Sequence, residues 1–263
     1  MRIIVCVKQI FDLDQVRMNR ETREPVLQNL PMVIGQIEKN ALEEAVKIKE
    51  TGQTTEIVVL SAGWPIVDDV VLECLARGGD KAIYVADPGL ERVDAQTVAM
   101  LLAKAIRKIG SYDLILLGEG STDDNSGQVG PALAEILGLP LAAYARQVQI
   151  NGNRARVTES LEGSYETVEA ALPLVITVTA EINEPRIPSI IEVMDASSKP
   201  QEKWSLADIG LSANDINNRT SLKILANRYP EQTRKGIMLR GDSLEKTAEL
   251  LIQNLKKEGV LES

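Results

Sequence analysis

The sequence predicts an α/β fold, a parallel-core sheet with helices on both faces, added antiparallel strands, and a C-terminal arm and helix. Three observations carry this. Continuous apolar runs such as residues 2–7 have the length and composition of strands buried on both faces. They alternate with stretches of helical period, the order that builds a parallel sheet. Beyond Pro140 the period becomes two, and Asn151-Gly152 marks a tight hairpin.

Taken in order, the first strand (2–7) leads to a polar, irregular excursion at 11–28 and a short turn-bounded segment at 31–35. Residues 38–50 place Ala41, Leu42, Ala45, Val46 and Ile48 on a helical period, and Gly52 stands where a helix end belongs. A strand (55–60), a helix (66–76) and a third strand (81–86) follow. Residues 94–109 form a strongly apolar helix, 113–117 a fourth strand, and 132–137 a helix behind Pro131. Residues 147–150 and 154–157 make the hairpin, 165–171 alternates again, and 174–179 is another buried strand. From 181 to 212 regular structure fades, and the two prolines in 183–190 predict an extended, ordered loop. Residues 213–234 read as an arm, and 243–257 as an amphipathic helix docked either on another surface or on its own core. The expected division is 1–195 for the α/β domain and 196–263 for the arm and helix.

With 44% hydrophobic and 25% charged residues, the composition is that of a soluble globular protein. A net charge of -9 argues against nucleic-acid binding. No segment approaches the roughly 20 apolar residues of a membrane span, and the start is too strand-like for a signal peptide, so a cytoplasmic protein is expected. The chain has no His, which removes Ser-His and Cys-His catalysis. Cys6 and Cys74 have no metal-ligand spacing and read as small buried hydrophobes. No catalytic or metal-binding set is assigned.

The most informative stretch is 114–131. Its apolar run ends at Gly118, a loop of small oxygen-bearing residues follows, and a helix begins beyond it. In a parallel sheet ligands sit at such strand ends, and a helix start favours an anion. Neither the Walker A spacing nor G-x-G-x-x-G is present, so an ordinary turn with Asp123, Asp124 or Asn125 near an N-cap stands as the alternative.

Several motifs together resemble the β subunits of electron transfer flavoproteins: Val5-Cys-Val-Lys-Gln9, Gly127-Gln-Val-Gly-Pro131, Leu172-Pro-Leu-Val-Ile-Thr-Val178 and Asn183-Glu-Pro-Arg186. Asn40-Ala-Leu-Glu-Glu-Ala-Val46, Leu75-Ala-Arg-Gly-Gly-Asp80 and Trp204 fit as well. Residues 118–123 and 204–210 look closer to the Fix-type branch. The resemblance implies an adenine nucleotide α-hydrolase-like domain that pairs with an FAD-carrying α subunit. Such heterodimers move electrons between flavoprotein dehydrogenases and a quinone oxidoreductase or ferredoxin, in some members by electron bifurcation with NADH oxidation. The β subunit would hold AMP, or FAD in the bifurcating type. Carried over by position, the nucleotide would meet Cys6, Gly35, Gln36, Ile37, Glu38 and Ala62. It would also meet Gly118, Ser121, Thr122, Asp123, Asn125, Ser126, Gly127, Gln128 and Val129, with backbone N–H groups of 126–129 facing phosphate. The chain departs from the family at Gly35-Gln-Ile37, where ordinary members read N-P-F, and at Glu159-Ser160, where they read R-E. Asn183, Glu184, Pro185, Arg186 and Ile190 align with the partner-recognition loop, in which Ile190 is either an anchor or packs on the sheet. A nucleotide sensor of the universal-stress type is the alternative function. It should carry a G-x-x-G-x-x-x-x-x-G-[ST] loop, which the sequence lacks. An N-type hydrolase should carry S-G-G-x-D-[ST] after the first strand, where Lys8-Gln-Ile-Phe11 stands.

Overall fold

The first strand, β1 (Arg2–Cys6), sets the layering. Ile3 and Val5 point into one hydrophobic core, Ile4 and Cys6 into another, as the period of two in a strand requires. A computed structural model describes residues 1–52, 54–91, 93–217, 222, 224–230 and 235–261. After β1 come four short strands, β2 (Gln9–Phe11), β3 (Arg17–Met18), β4 (Pro25–Val26) and β5 (Met32–Ile34). They pair antiparallel as β2 with β5 and β3 with β4, a hairpin excursion beside the main sheet. Then follow α1 (Gln36–Glu50), β6 (Glu56–Gly63), α2 (Asp68–Ala76), β7 (Lys81–Ala86), α3 (Ala95–Ile109), β8 (Leu114–Gly118) and α4 (Val129–Leu137). Four longer strands come next: β9 (Leu141–Asn151), β10 (Arg154–Leu161), β11 (Ser164–Ala171) and β12 (Leu174–Val178). The chain continues through α5 (Ile190–Ala196), β13 (Gln201–Trp204), α6 (Ala213–Asn217) and α7 (Leu244–Lys257).

Nine strands form one sheet in the order β11-β10-β9-β12-β8-β1-β6-β7-β13. From β9 to β13 neighbours run parallel, while β10 and β11 add an antiparallel meander. Helices α1 and α2 cover the face of Ile3 and Val5; α3 and α4 cover the face of Ile4 and Cys6.

Several expectations are corrected. α4 begins at Val129 rather than Ala132, because a helix tolerates Pro131 in its first turn, where its missing N–H has no intrahelical role. Ile190 starts a helix rather than ending an extended loop. Ser189 caps α5 through a capping box with Glu192. The α/β domain does not stop at 195: β13 pairs with β7, and Trp204, Leu206, Ile209 and Ile216 are buried in the core. The arm therefore starts after Asn217, and part of the stretch assigned to it lies outside the described residues. α7 has no fully buried residue.

Candidate functional site

β1, β6 and β8 lie side by side and parallel, so their carboxyl ends open onto one crevice. It holds a cavity of about 830 Å³ when its open mouth is counted. Cys6, Val7 and Lys8 reach it from the end of β1, and Ala62 from β6. Val93, Val98 and Leu102 form an apolar wall with Leu117, Glu38 comes from the first turn of α1, and the loop from Gly118 to Gly130 closes the far side.

Of the expected residues, Cys6, Glu38, Ala62, Gly118, Ser121, Ser126, Gly127, Gln128 and Val129 surround this cavity. Gly35, Gln36, Ile37, Thr122, Asp123 and Asn125 do not line it. Three of these shape it from behind. Ile37 packs so closely on Gly118 that a Cβ there would lie 3.1 Å from its Cγ2. Asn125 adopts a positive φ of 47° and donates its N–H to the Ser121 carbonyl at 2.8 Å. Asp123 accepts from Lys8 Nζ at 2.7 Å.

Lys8 also donates to Ser121 Oγ at 3.0 Å and to Asp124 Oδ2 at 3.4 Å, tying the loop to the end of β1. Asp124 Oδ1 accepts from the Ser121 hydroxyl at 2.9 Å and from the Ser126 N–H at 3.1 Å. The Ser126 N–H, expected to face phosphate, is thus engaged within the loop. The start of α4 carries no acidic residue in its first turn, which leaves its positive end open to an anion. Burial works against ionisation of Asp124, yet the Ser126 N–H, Lys8 and the Ser121 hydroxyl outweigh it and hold that carboxyl below its ordinary range. Glu38 goes the other way. Burial pushes its carboxyl up to about 7, its own backbone N–H and Lys8 pull it down, and Asp123 and Asp124 push it up again. Burial, followed by the nearby Glu181 carboxylate, also raises Glu119. The thiol of Cys6 is pushed up to about 12 by burial, so it contributes a small apolar surface and no thiolate.

Lys8 and Asp124 were not singled out as site residues by the sequence, although a lysine directly after a buried strand was a usable signal. The α3 wall was hidden because its residues also satisfy an ordinary core period. Among the described residues no cluster of His, Cys, Asp or Glu suits a metal ion. The cavity thus combines an apolar wall, polar loop groups and a helix start free of acidic residues.

The second candidate surface is the loop before α5. Asn183 donates to the Asn40 carbonyl at 3.1 Å and to Glu44 Oε2 at 3.0 Å. Arg186 forms paired bonds to Glu43 at 2.8 and 3.0 Å and to Glu50 at 2.7 and 3.1 Å. These two residues latch the loop to α1, while Glu184 is exposed and Pro185 half-buried. Ile187 and Ile190 are 89% and 80% exposed, so neither packs on the sheet.

Comparison with known proteins places these features in a family. The model of the electron transfer flavoprotein domain matches residues 26–209. The caffeyl-CoA reductase-Etf complex subunit CarD of Acetobacterium woodii is 31% identical over 262 residues, 99% of this chain and 100% of that protein. The electron transfer flavoprotein subunit beta of Thermoanaerobacterium thermosaccharolyticum is 32% identical over 263 residues, with 99% and 100% covered. The same subunit of Methylophilus methylotrophus is 35% identical over 256 residues, with 95% and 97% covered.

Proposed function

We propose, for a chain that belongs to the electron transfer flavoprotein family as a β subunit, that its strand-end cavity seats an adenine nucleotide within a heterodimer with an α subunit. Family membership carries the electron-transfer role and removes the universal-stress alternative. The observation that supports the nucleotide reading is the division of the cavity. The wall of Val93, Val98, Leu102 and Leu117 offers an apolar surface to a planar base, and the acid-free start of α4 offers a seat to phosphate. The Lys8–Asp123–Asp124 network holds the loop between them without needing the ligand.

The nucleotide is AMP or FAD. The resemblance to the Fix-type branch and the departure at Gly35-Gln-Ile37 favour FAD, and with it a bifurcating complex that oxidises NADH. CarD, named for a caffeyl-CoA reductase complex, agrees with a role beside a flavoprotein dehydrogenase. When bound, a flavin supplies the redox chemistry, and the residues described here bind and orient it. The loop that leads into α5, with Ile190 as the first residue of that helix, is proposed to dock the dehydrogenase, and the arm and α7 the α subunit.

The test is to release and count the nucleotides of the co-expressed, purified heterodimer. Two FAD per heterodimer and no AMP is the expected result. One FAD with one AMP would refute the bifurcating reading and keep the carrier. No adenine nucleotide beyond the α-subunit FAD would remove the proposed use of the cavity.

A further inference from the structure

α5 is seven residues long, and Ala196 is its one buried residue. A helix of that length is not stable alone in water, because nucleating it costs more than so few backbone bonds return. Its apolar side chains do not hold it either, since Ile190, Ile191 and Met194 are 80%, 71% and 72% exposed. The capping box at Ser189 closes its first turn but ties it to nothing else.

Both ends are instead fastened to one place, the end of α2, against which α5 lies. On the entry side stands Arg186, whose guanidinium is already bound to Glu43 and Glu50 of α1. Its carbonyl accepts from Nη1 of Arg77, the residue that ends α2, at 2.6 Å. On the exit side Lys199 Nζ donates to the carbonyls of Leu75 at 2.7 Å and Gly79 at 2.9 Å. Neither cation swings freely. Glu73, one turn earlier in α2, fixes the Arg77 guanidinium through Nε and Nη2, both at 2.8 Å, and that side chain is 13% exposed. Lys199 sits at carbonyls of a helix end, where a cation is favoured.

We infer that Arg77 and Lys199 are positioning residues that clamp α5 to the end of α2 and so present Ile190, Ile191 and Met194 to the partner in a fixed posture. This rests on the reading of α5 as the dehydrogenase-docking surface and adds what holds that surface in place. A contact helix that is ordered beforehand binds more tightly, because its ordering cost is not charged to the encounter. Left to fray, a short exposed helix would meet that cost each time.

The experiment compares the wild-type heterodimer with its Arg77→Met and Lys199→Met variants by two measurements. The variants lie on different segments, so a folding defect in one leaves the other to decide. Amide hydrogen exchange over residues 190–199 should quicken at least about tenfold in both, with the strands of the main sheet unchanged. Unchanged exchange in α5 would overturn the clamp. Equal acceleration throughout the sheet would show a general loss of stability and would also overturn it. The second measurement is steady-state reduction of the heterodimer by a short-chain acyl-CoA dehydrogenase with butyryl-CoA as the probe pair. KM for the heterodimer should rise about fivefold in both variants at unchanged kcat. Unchanged KM beside a raised KM for Ile190→Asp would keep the docking surface and overturn the role given to the clamp. A wild type that the pair does not reduce, or an Ile190→Asp variant with wild-type KM, would remove the docking reading itself. The presentation role would fall with it, whatever exchange shows of the clamp.

Discussion

Glu38 contributes to the pH response of the nucleotide-free protein, because burial displaces its carboxyl from an ordinary 4.5 to about 7. The native state holds the Glu38 proton more tightly than the unfolded chain does. Its destabilising contribution is therefore absent below about pH 4.5, grows as pH rises towards 7, and stays constant above. The displacement corresponds to about 3 kcal/mol. Asp124 acts in a separate window, since its lowered value gives stability that is lost only as pH falls below the ordinary carboxylate range. Glu38→Gln should stabilise the nucleotide-free protein by about 2 kcal/mol at pH 8 and by little at pH 4.5. Urea unfolding at the two pH values measures this. A variant that keeps the wild-type difference between them would show that Glu38 is not the group responsible.

Between elements, the decisive contact for the cavity is α4 on β12. A Cβ on Gly130 would lie 2.3 Å from Thr177 Cγ2. Thr177 cannot rotate away freely, because it is 2% exposed and its Oγ1 accepts the Tyr144 N–H at 3.0 Å. Gly130→Ala gains about 1 kcal/mol of helix propensity against an overpacking cost of about 1–3 kcal/mol. A net loss of about 1 kcal/mol is expected, with the start of α4 displaced from the cavity and nucleotide affinity reduced. Chemical denaturation that shows a gain would sink this account. At α5, Ile190→Asp should leave stability within about 0.5 kcal/mol, since the side chain is exposed. Dehydrogenase-coupled reduction should fall at least about tenfold if Ile190 is a hot spot, and an unchanged rate would remove the anchor role. The parallel core was legible because β1, β6, β8 and β12 each hold at least three consecutive apolar residues, and helices such as α3 are apolar over most of their length. α5 and β13 were not. Seven and four residues are too short for a period, and β13 reads Gln-Glu-Lys-Trp, the charged dress of an edge strand. The box of Ser189 and Glu192 was the available sign for α5. The burial of Glu38 was illegible because carboxylates are rarely buried. Its cue lay in Gly35, where a Cβ would fall 2.0 Å from Glu38 Oε2, and that meaning depends on a side-chain conformation that spacing does not show.

Across the whole molecule, apolar surface is divided unequally. The sheet and its helical layers enclose two hydrophobic cores that extend to Ile216, which is 2% exposed, while α5 turns Ile190, Ile191, Val193 and Met194 outward. Beyond Ile216 the balance reverses. Leu222, Ile224, Leu225, Ile237 and Met238 are between 51% and 89% exposed, and α7 shows Leu244, Leu251 and Ile252 to solvent. Among the described residues of this stretch so little surface is buried that they contribute little to the chain's own stability, and exposed apolar residues on this scale mark a surface that a partner covers. The proposed α subunit is that partner. A chain ending at Asn217 keeps all nine strands of the main sheet and α1–α6. Its unfolding free energy should therefore stay within about 1 kcal/mol of the full chain, while its complex with the co-expressed α subunit should be lost on size exclusion. Persistence of the heterodimer would place the α-subunit contact on the α/β domain instead. A collapse of stability with the complex still formed would mean that the arm supports its own fold after all. The two measurements together therefore distinguish an arm that belongs to the interface from one that belongs to the core.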